Sequence, residues 1–352
     1  MTSAASTVIT SRLRPAWVAA SGAVLVAAVA LGLALGPVAI DPWRSLVEIV
    51  GHLPFVHVHS GLSPQQAGIV WELRLPRVVL ALLVGSMLAS SGAAYQGVFR
   101  NPLADPYLLG AAAGAGLGVT LVITSGYTSN GGLLDPAPLA AFAGALAAAF
   151  LAYAIGAIGG RLRTPATLLL AGVAVMSFLT ALQTYVQQRH ADTIRTVYDW
   201  ILGRLTTASW SDVVLVLPYF VVTSAVLVTH GRMLDALGVG DEEAATLGVP
   251  VRRVRLTVVA AASLATAAAV SVSGLIGFVG IIVPHTIRLV AGSSYRVILP
   301  LSLVFGGAFL ALADLAARTT LSPAEIPIGV VTAVVGAPFF VVVLRTTKGA
   351  VG

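Results

Sequence analysis

Long apolar runs separated by short polar breaks dominate this chain. Stretches of about 20 residues built from Ala, Leu, Val, Ile and Gly match the thickness of a bilayer's hydrocarbon core. They predict spanning helices at 17–36, 78–98, 105–124, 138–158, 166–187, 212–229, 255–273, 275–291, 297–316 and 327–344. The seventh and eighth nearly touch, and Gly274 and Gly277 mark the break between them. Three polar breaks carry a helical signal of their own. Pro42 to Val50 reads as a short surface helix, and Arg195, Tyr198, Asp199 and Leu202 fall at helical spacing. In "GRMLDALGVGDEEAATLGVPVRRVR", Gly231 to Arg255, three carboxylates (Asp241, Glu242, Glu243) stand where a helix N-terminus favours negative charge. Gly248 then ends the helix and Pro250 bars its continuation. The pattern predicts a two-turn amphipathic helix held beneath the membrane between two spans.

Composition turns these runs into a membrane protein. Apolar types make up 57% of the 352 residues and charged types only 10%, against about 25% charged in soluble domains. The fold class is therefore all-α and integral to the membrane, a single transmembrane unit over residues 1–352 with 231–255 as a cytoplasmic loop within it. The absence of cysteine excludes disulfides and thiolate chemistry. The net charge of +6 sits in the breaks between spans, which suits membrane loops and not nucleic acid. The run after Arg12 and Arg14 is longer than a signal-peptide core and is read as a helix that stays. With the N-terminus inside, Arg12, Arg14, Arg100, Arg161, Arg163, Arg232, Arg252, Arg253, Arg255, Arg288, Arg296, Arg345 and Lys348 fall on the cytoplasmic side. Arg44, Arg74, Arg77, Arg189, Arg195, Arg204 and Arg318 fall outside. That bias places both termini in the cytoplasm.

Catalytic signatures are lacking. There is no G-x-x-x-x-G-K-[ST] loop and no H-E-x-x-H pair. Ser91-Gly92 and Ser273-Gly274 belong to small-residue patterns, like Gly110, Gly114 and Gly118, and such patterns let helix backbones approach. An ion-coupled carrier needs a charged group within the spans. Asp314 is the best candidate, and Arg318 one turn on offers it a local pair. Energy is therefore expected to enter from a partner. In the fifth span, Met176, Ser177, Thr180, Gln183, Thr184 and Gln187 recur at spacings of three to four and form a mildly polar stripe, read as the lining of a translocation path. His52, His57 and His59 lack the rest of a coordination shell, and no metal site is expected. Pro284, His285 and Arg288 sit near the end of the eighth span, where Arg288 is expected to snorkel to the interface and His285 to hold helix ends together.

Seven segments in order then carry a resemblance. They are "RLPR" at Arg74 to Arg77, "SGAAYQGVFRNPLADPYLLG" at Ser91 to Gly110, "LLLAGVAV" at Leu168 to Val175 and "GDEEAATLGV" at Gly240 to Val249. "GLIGFVGIIVPHTIRLVAG" follows, with "ALADLAAR" at Ala311 to Arg318 and "EIPIGVVTAVVGAPFF" at Glu325 to Phe340. From about residue 70 to 345 the chain resembles the FecCD/BtuC permeases of type II ABC importers for iron–siderophore, haem and cobalamin. The resemblance implies ten helices in the BtuC-like fold in a bacterial inner membrane, a second permease subunit in a homodimer or paired heterodimer, two cytoplasmic ATPases that use ATP and Mg, and an external substrate-binding protein. No cofactor is expected in this chain. The resemblance also implies that Arg74, Arg77 and Arg318 receive glutamates of the binding protein, and that Asp241, Glu242, Glu243, Leu247 and Gly248 couple to the ATPase. Among cargoes it ranks iron(III)–siderophore first, then haem, then cobalamin. An ion-coupled secondary transporter is the alternative.

Overall fold

Apolar composition around the whole circumference makes each long run a helix that satisfies its own backbone hydrogen bonds, the condition for crossing lipid. The computed structural model describes residues 13–52, 55, 58–127, 135–203 and 205–348 except 158–164. Arg12, His57, Arg161, Arg163 and Arg204, and the side chains of Arg345 and Lys348, lie outside the described set. Seven described helices are long and apolar enough to span a membrane, and three further apolar helices accompany them.

The long helices are α1 (Pro15–Ala34), α4 (Leu75–Phe99), α6 (Pro136–Ala157), α7 (Pro165–Arg189), α9 (Trp210–Thr229), α12 (Val251–Ser273) and α14 (Tyr295–Thr319). Alongside them are the shorter α5 (Ala111–Thr124) and α13 (Val279–Ala291) and the apolar helix α15 (Ile328–Lys348). Between them lie α2 (Pro42–Gly51), α3 (Pro64–Gly68), α8 (Ile194–Ile201), α10 (Gly231–Val239) and α11 (Asp241–Thr246). The helices expected at Pro42–Val50 and around Tyr198 are therefore present. The third span differs from its expected start at residue 105. Pro102 and Pro106 interrupt the helix, and side chains of Asn101 and Asp105 accept from the Leu103 and Tyr107 amides, so helix begins only at Ala111.

Helix α4 is the buried axis, packed against α14, α12, α13 and α9, while α5, α6 and α7 form a second group joined through α6 to α12. Lipid tails remove the hydrophobic drive between helices, so close backbone approach and dispersion must supply the cohesion. A Cβ on Gly92 of α4 would overlap the Gly280 carbonyl of α13, and one on Gly114 of α5 would overlap the Gly144 carbonyl of α6. The serines expected to pack do so: Ser91 Oγ donates to the Ala262 carbonyl of α12 at 3.1 Å.

The break between the seventh and eighth spans is real. Gly274 (φ 69°, ψ −162°) and Phe278 (φ 69°) redirect the chain between α12 and α13. The Tyr107 hydroxyl accepts from the Ile276 amide (3.1 Å) and donates to the Ile276 carbonyl (3.0 Å), so one side chain satisfies both backbone groups stranded by the break.

Candidate functional site

Three regions gather the polar residues that the spans would otherwise exclude. The first lies where α1 ends and α4 begins. Arg77 is clamped on two edges. Its Nε and Nη2 donate to Asp314 of α14 at 2.8–3.0 Å, and its Nη1 and Nη2 donate to Glu325 at 3.0 and 2.8 Å. The Asp314 side chain is 2% exposed and that of Glu325 30%. Arg318 makes only a 3.7 Å approach to Asp314, so the local i,i+4 pair is secondary and Arg77 is the main partner. Arg318 Nη2 instead donates to the Gly32 carbonyl, while Arg74 donates to the carbonyls of Leu33, Ala34 and Val38. The last turn of a helix leaves carbonyls without partners and carries partial negative charge. Arg74 and Arg318 are thus buried caps of α1, and of the three arginines expected to face a partner only Arg77 keeps an edge near solvent. A cavity of about 300 Å3 opens beside it, walled by Asp199, Gly203, Thr206, Glu325 and Pro327.

The second region, at the opposite end of α4, is built from α10 and α11. The sequence predicted one short helix here; the structure has two, separated by Gly240 (φ 143°). Helix α11 is six residues long, shorter than the two turns expected. It ends in a Schellman cap: the Val249 amide donates to Ala244 and the Gly248 amide to Ala245, with Gly248 at φ 81°. Asp241 does more than open the helix. Its carboxylate binds Arg100 at the end of α4 (3.0 Å) and Arg255 of α12 (2.9 Å). Asp235 of α10 accepts from Ser294 Oγ (2.7 Å) and from the Tyr295 amide at the start of α14. Two short helices are thereby fixed to the ends of three long ones. Leu247 stands 70% exposed and Val239 65% exposed on the outer surface, with Glu242 and Glu243 also exposed. A cavity of about 650 Å3 lies behind, walled by Gln96, Arg100, Asp235, Arg288 and Tyr295. Arg288 does not snorkel: its Nη2 donates to Gln96 Oε1 and to the Tyr295 hydroxyl, both at 3.2 Å, and it lies over the Tyr295 ring. His285 packs edge-on against Phe339 of α15, tying two helices together.

The third region is the outer face of α7. Met176, Ser177, Thr180 and Thr184 line a concavity of about 650 Å3 together with Ala181, Tyr185 and Gln188. Gln183 stands at the rim of that stripe and turns away; it is buried with its amide against Gly116 of α5, where a Cβ would be too close. Gln187 is half-buried and does not line the concavity. The same helix also leaves Leu170 and Phe178 exposed.

The sequence reading missed Glu325, Arg100 and Asp235. Each is read alone as an end-of-span charge, and only the crossing of helices gives it a partner. His52 stacks on Trp71 at 3.8 Å and hydrogen bonds the Glu48 carbonyl, a structural role; His59 is exposed.

The model of the FecCD transport family matches residues 24–346. The chain is 43% identical over 360 aligned residues to the cobalamin import system permease protein BtuC of Halobacterium salinarum, covering 94% of this chain and 96% of that protein. It is 40% identical to the hemin transport system permease protein HmuU of Yersinia pestis, over 77% of this chain and 81% of that one. A solved structure of a metal-chelate type ABC transporter, in an inward-facing conformation, superposes with a TM-score of 0.79 at 29% identity, over 95% of this chain and all of that one.

Proposed function

The chain belongs to the FecCD transport family, the permeases of ABC importers for metal chelates, and from this we propose that it forms one half of the membrane pore of such an importer in a bacterial inner membrane. A second copy packs against α7, two ATPases seat on α10 and α11, and an external binding protein delivers cargo at the Arg77 end. The observation that carries this reading is the surface of α7, where a concavity edged by the hydroxyls of Ser177, Thr180 and Thr184 stands amid exposed apolar side chains on a helix too apolar for water. Pairing two such faces encloses a weakly polar channel, wide enough for a bulky chelate and without strong ligands to trap it.

The positive bias of the loops assigns the Asp241 end to the cytoplasm. ATP-driven closure of the ATPases then pushes on Leu247 and Val239, and the Asp241 and Asp235 anchors transmit the motion to α4, α12 and α14. The FecCD match makes this chain a transport subunit, and ATP hydrolysis is assigned to the partner ATPases. Replacing Leu247 with Asp tests the lever. In proteoliposomes holding permease and ATPases, the variant is expected to keep most ATP turnover and lose at least about tenfold of uptake; unchanged uptake rejects the role.

The cargo reading shifts from the order the family resemblance gave. The 43% identity to a cobalamin permease over nearly the whole chain favours a corrinoid first, with haem and iron(III)–siderophore behind. Competition of labelled cobalamin uptake by haem and by a ferric siderophore in the same vesicles separates the three. Accumulation that proceeds without any ATPase would instead favour an ion-coupled carrier.

A further inference from the structure

The two carboxylates on Arg77 are not equivalent. Asp314 is buried on a 25-residue helix and also approaches Arg318, so it is a fixed part of the packing. Glu325 stands on the loop between α14 and α15, and its side chain is the more exposed partner. The loop backbone is held independently: the Ile326 amide donates to the Ala317 carbonyl and the Gly329 amide to the Leu202 carbonyl. Glu325 can therefore swing off Arg77 by side-chain rotation alone, and the cavity of about 300 Å3 at its side gives a second carboxylate room to enter.

Charge points the same way. The three guanidiniums of Arg74, Arg77 and Arg318 stand against three carboxylates, Asp314 and Glu325 on Arg77 and Asp199 on the wall of the same cavity, and Arg74 and Arg318 already donate to the carbonyls at the end of α1. An added acidic group would crowd Glu325, whereas one that replaces it leaves the cluster's charge unchanged. Guanidinium binds a carboxylate in a planar two-point fork, so the vacated outer edge of Arg77 offers a newcomer the same geometry.

We infer that Glu325 is an internal placeholder, and that an acidic side chain of the external binding protein docks by taking its place on the outer edge of Arg77. This rests on the docking reading above and narrows it from three arginines to one edge of one arginine. Glu325 then sets the affinity of capture: it competes with the partner, and it recloses the clamp when the partner leaves.

The test uses the full importer in lipid nanodiscs, with its ATPases, titrated with its own loaded binding protein. Glu325→Gln keeps size and hydrogen-bonding atoms but drops the competing charge, and is expected to tighten capture roughly fivefold, the scale of one solvent-reached ion pair. Arg77→Lys keeps the charge but loses the fork, and is expected to weaken capture. If Arg77→Lys leaves capture unchanged, docking at this arginine falls. If Arg77→Lys weakens capture while Glu325→Gln leaves it the same or weaker, the exchange alone is overturned.

Discussion

Arg77 puts a buried and an exposed ion pair on the same guanidinium, and the two are expected to differ in what they contribute. Removing one partner of a buried pair strands charge in a low dielectric and costs about 3–5 kcal/mol, whereas a pair reached by solvent contributes about 0–1 kcal/mol. Asp314→Asn should therefore lower the thermal unfolding midpoint in detergent sharply and reduce folded yield, while Glu325→Gln leaves both nearly unchanged. Equal effects from the two substitutions would mean that exposure does not divide them. Spacing revealed only the weaker contact here: Arg318 lies one turn from Asp314, yet the short bonds come from Arg77, 237 residues away. The burial of Arg74 and Arg318 was likewise not legible, because the orphan carbonyls they cap belong to a different helix, α1.

Helices meet through glycine in this bundle, and the contacts are specific enough to test. At Gly92 a methyl group would overlap the Gly280 carbonyl, so Gly92→Ala must force α4 and α13 apart; overpacking of this kind costs about 1–3 kcal/mol. At Gly22 of α1 nothing lies within 4 Å, and Gly22→Ala should be neutral or slightly stabilising. Thermal unfolding of the pair side by side checks this, and a neutral Gly92→Ala would disprove close packing at that crossing. Hydropathy located the spans to within a few residues for most helices, since each is apolar along its whole length. It failed at 101–110, where hydrophobic residues continue but prolines and side-chain-to-backbone bonds prevent helix. It also missed α10, a nine-residue helix whose polar residues resemble a loop when read without its anchor on Tyr295.

Assembly governs what the isolated chain leaves open along α7. If the concavity lines a path between two copies, bulk placed in it should block cargo without disturbing the ATPase end. Thr180→Trp is expected to cut ATP-driven uptake by about tenfold or more while ATP turnover and binding-protein capture persist. Normal uptake through a channel filled at that position would move the path elsewhere. The stripe was visible in the sequence as a helical repeat of polar residues, but its membership was not. Gln183 shares the repeat and faces inward because α5 approaches with Gly116 at that level.

Hydropathy and motif order were enough to establish a helical membrane permease of this family, because every span must satisfy its backbone within itself and so writes its presence locally. The break after Ser273, the cap after Thr246 and the small-residue contacts were foreshadowed for the same reason: glycine and proline act on their own segment. Which cation meets which carboxylate, which arginines are spent on α1, and which face of α7 stays open were decided only when the helices crossed. Such pairings depend on the distance between atoms far apart in the chain, and no local period encodes that distance.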